Sequence, residues 1–381
     1  MLTMPGRNTS FGRLARTLTV GLVILAMAFL GACGDDQDTQ ATQEPQPTAA
    51  EESAAPSGPP SQVVATTNFV ADWARVVGGD RVEVFGMLPA GGDPHSYQPG
   101  ARDVARVADA DVVFTVGLEL ETLWLEDLIR SASADESRIV ALGEVVDPME
   151  FTEADMHDDH DDHGDHSDHE EDHSDHEEDH SDHEEDHSDH EEDAHGHDDH
   201  HDHHHGTFDP HFWFDPIRVK IAVNEIAARL SAIDPENADF YSQNASEYGK
   251  QLDELHAWTM EQISAVAPER RLLVTSHDAF SYFAEAYGFE IVGLVIPSLA
   301  PDVEPSAEHI AGLVEVIEEH GVPALFGETT VSDKLAQAVA RETGASLVQL
   351  YSGSLGAEGS GADTYLTMVR ANVERIVGAL K

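Results

Sequence analysis

The stretch from Glu153 to Gly206 does most to limit what this chain can fold into. It contains 26 acidic residues, all but six of the chain's 24 histidines, and no lysine or arginine. Within it the unit Ser-Asp-His-Glu-Glu-Asp-His occurs three times from Ser167 to His187 and begins again at Ser188, with no aliphatic residue. Such a segment has no apolar surface to bury and repels itself, so it cannot contribute to a core. The fold must be built from the sequence on either side, with 153–206 as a disordered insertion.

Charge excludes one class of partner. The 381 residues include 74 acids against 20 bases, and outside the tract 48 acids still face those 20 bases. Nucleic acid requires clustered Lys and Arg to displace its counterions, so cations are the better match. The N-terminus reads as a targeting signal over residues 1–33: Arg7, Arg13 and Arg16 precede an apolar run from Leu18 to Leu30 that is too short to span a bilayer comfortably. Leu30-Gly31-Ala32-Cys33 resembles a bacterial lipoprotein processing box, which would leave a lipidated Cys33 anchoring the protein on the extracytoplasmic side of the cell membrane, periplasmic or at the cell surface. The plainer alternative is an ordinary signal peptide with an incidental cysteine. Cys33 is the only cysteine, so disulfides and multi-thiolate metal sites are excluded and any transition-metal site must use His, Asp or Glu.

From Gly34 to Ser61 the chain is rich in Asp, Gln, Thr, Pro, Ala and Ser without periodicity, a flexible tether spanning on the order of 30 Å. From Gln62 the pattern changes. The apolar runs Val63-Val64-Ala65, Val82-Glu83-Val84-Phe85, Val112 to Val116 and Ile139-Val140-Ala141 alternate with helical stretches, as in a parallel sheet. Leu272-Leu273-Val274, Ile291 to Val295, Ala324-Leu325-Phe326 and Leu347 to Leu350 repeat the scheme. The expectation is an α/β protein of two lobes, each with a mainly parallel four-stranded sheet: an N-terminal lobe over 62–232, interrupted by the tract, and a C-terminal lobe over 268–381. Between them, Asp234-Pro235 opens a polar-amphipathic stretch through Leu252, Leu255 and Ile263 to Pro268, with Gly249 as a weak breaker, so 233–267 reads as one long linking helix.

Six histidines lie outside the tract. His256, His309 and His320 sit on helical segments, where a lone histidine is ordinarily a surface or capped residue. The other three occupy shaped loops. His95 lies in Gly91-Gly92-Asp93-Pro94-His95-Ser96-Tyr97-Gln98-Pro99, His211 in Asp209-Pro210-His211-Phe212-Trp213-Phe214-Asp215-Pro216, and His277 in Thr275-Ser276-His277-Asp278 at the end of a strand. Strand ends are where open α/β sheets bind ligands, and three imidazoles meeting in a cleft would make a nitrogen site suited to Zn²⁺.

These segments resemble the ligand motifs of the zinc- and manganese-binding solute-binding proteins of ABC transporters, the zinc-uptake branch in particular. The likeness runs from about Gln62 to Lys381 and includes Asp234-Pro235-Glu236-Asn237-Ala238, Glu304-Pro305-Ser306-Ala307 and Gly361-Ala362-Asp363-Thr364-Tyr365. It implies two lobes joined by one rigid long helix, with Zn²⁺ clamped in the cleft by His95, His211 and His277. It further implies a monomer that captures zinc and delivers it to an ABC permease and its ATPase, without catalysis. A His-rich acidic insertion in the first lobe is characteristic of zinc-specific members. Manganese-specific relatives tend to carry a carboxylate at the third position, where His277 here favours zinc. Many relatives supply an aspartate as fourth ligand from a Ser-Asp-Ser-Leu-Gly stretch, whereas Ser352-Gly353-Ser354-Leu355-Gly356 places Gly353 there. The fourth position is then left to water, to Glu328 or to a residue of the tract, with water preferred to Glu328.

Other functions fit parts of the sequence. A zinc buffer or adhesin-like lipoprotein would make the tract the working element and the lobes a scaffold. A three-His zinc hydrolase would use Glu328 as base, but no substrate-positioning motif accompanies the histidines. A manganese-binding homologue is the remaining alternative. Within the tract, His166, His169, His173, His176, His180, His183, His187 and His190 alternate spacings of three and four, so a helix would align them on one stripe. Zinc bridging such residues would relieve repulsion and favour partial helix, and the expected role is loose gathering of zinc near the cleft, either to feed His95, His211 and His277 or to sense excess.

Overall fold

Short runs rich in Val, Ile and Leu are apolar on both faces, which a strand can bury only between two helical layers. The computed structural model, which describes residues 58–150, 208–301 and 303–381, shows that arrangement twice. The leader 1–33 with Cys33, nearly all of the tether 34–61, and the tract 153–206 lie outside the described residues. The first sheet comprises β1 (Ser61–Ala65), β2 (Val82–Gly86), β3 (Val112–Thr115) and β4 (Ile139–Ala141), with α1 (Asn68–Gly78), α2 (Ala101–Asp109) and α3 (Leu125–Ala132) in the crossovers. The second comprises β5 (Leu272–Thr275), β6 (Glu290–Leu294), β7 (Ala324–Glu328) and β8 (Ser346–Leu350), connected through α6 (Ser281–Tyr287), α7 (Ala307–His320) and α8 (Lys334–Thr343). Every strand pairing is parallel, and the orders β2-β1-β3-β4 and β6-β5-β7-β8 are equivalent. In each sheet the connections leave in opposite directions between the two central strands, which opens a crevice at their C-terminal ends.

Between the sheets the chain forms α4 (Pro216–Ile233), a 3-10 turn at Pro235–Asn237, and α5 (Ala238–Ile263). Asp215 caps α4, accepting from Ile217 N, with Pro216 in the first turn where its missing N–H costs nothing. The linking helix expected from Asp234 onward is the turn plus α5, whose 26 residues span ~39 Å at 1.5 Å per residue. Gly249 does not break it, because the residue is buried against α4: a Cβ there would lie 3.3 Å from Lys220 Cε.

The linker is not a bare rod. Besides α4, it packs against α1 and against α9 (Tyr365–Leu380), which follows the second sheet. Tyr365 N donates to Asp72 Oδ2 of α1 at 2.9 Å, and Tyr365 Oη donates to Trp213 O at 2.7 Å. One hydrophobic core therefore includes Val63 and Phe114 of the first sheet, Leu273 and Phe326 of the second, and Tyr241, Leu252 and Leu255 of α5. Among the described residues, no helix is long and apolar enough to cross a membrane.

Candidate metal centre

Each of the three loop histidines donates its backbone N–H to a nearby carboxylate. The tripeptide Asp-Pro-His occurs twice outside the tract, and both copies fold alike. Asp93 Oδ1 accepts from His95 N at 3.1 Å, and Asp209 Oδ1 accepts from His211 N at 2.8 Å, so each aspartate closes a turn on the backbone two residues on. In the first copy Asp93 Oδ2 also accepts from Ser96 Oγ, and Pro94 O accepts from Trp124 Nε1 at 2.8 Å. In the second, Asp209 Oδ1 reaches the ring as well, 2.7 Å from His211 Nδ1. His277 leaves β5 with Ser276 N bonded to Phe326 O of β7, which sets it beside the end of that strand. There Glu328 Oε1 accepts from both His277 N at 3.1 Å and His277 Nδ1 at 2.7 Å.

With Nδ1 engaged at His211 and His277, Nε2 is the nitrogen turned to the cleft, the arrangement by which a carboxylate fixes tautomer and aim. His95 Nε2 and His211 Nε2 are 3.3 Å apart. One ring nitrogen from each of His95, His211 and His277 lies within 4.8 Å of the others. The residues are 8%, 1% and 2% exposed, and His277 Nε2 is buried without a hydrogen-bond partner. Nitrogens bound to tetrahedral zinc at 2.0–2.1 Å stand about 3.3 Å from one another, the separation that the His95–His211 pair already has.

Electrostatics separate the two carboxylate–histidine pairs. Burial, reinforced by the neighbouring imidazoles, holds His95 and His211 well below the ordinary histidine value, so both are neutral. Burial also acts to lower His277, but the carboxylates of Glu328, Asp278 and Asp93 together outweigh it and the net shift is upward. Burial would raise Glu328, and the facing His277 together with Ser352 reverses that to a net lowering. Asp209 behaves differently: burial lifts it to about 7, against the pull of the His211 backbone N–H and the charges of His277 and Arg218. The close Asp209–His211 contact is thus a hydrogen bond with a neutral ring, whereas His277–Glu328 has the character of an ion pair.

All four residues read from the sequence are in one place. Glu328, expected as a possible fourth ligand, has Oε1 bonded to His277, while its Oε2 is buried without a hydrogen-bond partner. His256 bonds Tyr287 Oη at 3.2 Å and His309 Nε2 bonds Leu294 O at 2.8 Å. The carboxylate partner Asp209 was missed by sequence reasoning, although the repeated Asp-Pro-His was the available signal. Trp124 carried none.

Two parallel α/β sheets with three imidazoles converging on one point define a two-lobed protein with a metal site. The chain belongs to the ZnuA family, described as zinc-uptake complex component A, periplasmic, whose pattern matches residues 63–379. Among curated relatives it is 31% identical over 326 residues to the manganese-binding lipoprotein MntA of Bacillus subtilis, covering 84% of this chain and 90% of that one. It is 28% identical over 331 residues to the manganese ABC transporter substrate-binding lipoprotein PsaA of Streptococcus mitis, with 86% and 91% coverage. Among solved structures, the periplasmic zinc binding protein TroA of Treponema pallidum superposes with a TM-score of 0.66 at 27% identity, covering 85% of this chain and 99% of that one. Substrate-binding proteins of this kind work with the permease and ATPase of an ABC importer.

Proposed function

We propose that this chain captures Zn²⁺ outside the cytoplasm and hands it to an ABC importer, with His95, His211 and His277 as the protein's ligands and water in the fourth position. The observation that carries the reading is the cluster itself: among the described residues, three buried ring nitrogens within 4.8 Å with no carboxylate oxygen in the group. Imidazole nitrogen suits zinc, whereas manganese stands lower in the affinity order and favours oxygen. The orphaned His277 Nε2 supports His277 as a donor, since a buried nitrogen without a partner is costly unless something coordinates it. In this reading Cys33 anchors the protein, the tether gives it reach to the permease, and the tract gathers zinc nearby.

Manganese is the competing reading, and the names of the relatives MntA and PsaA favour it. A competition titration with both metals decides between them. The zinc reading expects zinc to displace manganese stoichiometrically and His277→Glu to move preference toward manganese. Manganese preferred by the unmutated chain would overturn it.

A further inference from the structure

The loop that carries His95 is braced across the cleft by a glycine. Gly353 lies just after β8, and a Cβ built on it would stand 2.6 Å from Pro94 Cδ and 3.2 Å from Pro94 Cγ. Carbon atoms pack optimally at about 3.5 to 4.0 Å, so any larger residue must drive the two loops apart by roughly 1 Å. Neither loop yields easily. Ser352 O accepts from Trp213 Nε1 at 2.9 Å, and Ser354 Oγ accepts from Asn68 Nδ2 at 2.8 Å and from Gly91 N at 2.9 Å. Leu355 N donates to Asn68 Oδ1 at 2.9 Å. On the opposite side, Pro94 is a rigid ring whose carbonyl is held by Trp124, and the next residue is His95. Gly353 is not in the left-handed region, so its backbone would accept alanine. In this chain it is the close approach to Pro94, not the backbone conformation, that disfavours a side chain at 353.

We propose that Gly353 is a positioning residue for His95: the missing side chain lets the second lobe close on Pro94, and that contact sets the distance at which His95 meets His211 and His277. The inference rests on those three histidines being the ligands. A ligand constellation must be held to within about 0.5 Å to work fully, and a methyl group at 353 exceeds that tolerance.

A double-mutant cycle tests the contact. The full chain is titrated in chelator-buffered zinc, at free concentrations low enough to load the tightest site alone. Tryptophan fluorescence is the readout, because Trp213 packs edge-on against His211 with ring centroids 5.1 Å apart. Gly353→Ala is expected to weaken zinc at least fivefold. In a Pro94→Ala background, which removes the clashing Cδ and Cγ, the same change should cost at least threefold less than it does with Pro94 present. A loss below fivefold, or coupling below threefold, overturns the proposal. Should Gly353→Ala alone not fold, the pair Pro94→Ala and Pro94→Ala/Gly353→Ala decides: affinities within twofold support the contact, and a larger loss refutes it. His95→Ala separates the two levels. If it leaves affinity unchanged, the ligand assignment falls; if it removes tight binding while the cycle shows no coupling, only the role of Gly353 falls.

Discussion

Single-alanine replacements of His95, His211 and His277 should each weaken zinc by at least tenfold, whereas His256→Ala, whose ring bonds Tyr287, should leave it unchanged. Equal effects at all four, read by titration, would contradict the ligand assignment. The residues behind the ring nitrogens matter nearly as much. Glu328→Gln and Asp209→Asn keep the shape but alter the partner of His277 Nδ1 or His211 Nδ1, and such losses typically cost about 10–100-fold in metal affinity. The check is a titration beside a metal-free melting curve, so that lost affinity is not mistaken for lost folding. The histidines were legible because Pro and Gly shape their loops and because His277 ends an apolar run. The role of Glu328 was not, since it depends on β5 and β7 lying side by side across a separation of 51 residues, which no local pattern encodes.

At the scale of elements, α5 is the member whose packing ties the two sheets together. Leu252 and Leu255 are fully buried on it, and Leu→Ala in a core costs about 2–5 kcal/mol. Leu252→Ala should therefore lower the urea midpoint of unfolding without changing the zinc stoichiometry of the folded protein. A midpoint equal to that of the parent chain would show that α5 carries less of the core than its burial implies. Strand positions were readable to within a residue or two because buried parallel strands are continuous apolar runs. What periodicity did not reveal is that α9 joins α5 as a second element touching both halves, because Tyr365 reaches Asp72 and Trp213 through contacts made only after folding.

For the whole molecule, zinc should stabilise the fold by mass action, by about 2.7 kcal/mol at a hundredfold excess over Kd. Its pH dependence has a definite sign. His277 is raised above the ordinary value, so below that point the metal-free protein holds a proton there which the zinc-bound protein cannot. The metal-free state binds more protons than the loaded state, and zinc stabilisation must therefore grow with pH and fade on acidification. His95 and His211 are held low and compete with protons only at more acidic pH. The melting-temperature shift given by zinc should accordingly be smaller at pH 5 than at pH 7.5; equal shifts would argue against histidine ligation. Two-lobe architecture was legible from the repeated alternation of apolar runs and helical stretches, but choice of metal is a property of the assembled cleft. The most direct measurement is elemental analysis of a chain lacking 153–206 after dialysis against equal zinc and manganese. One zinc per chain is the predicted result, and manganese in the cleft, or no retained metal, would contradict the account.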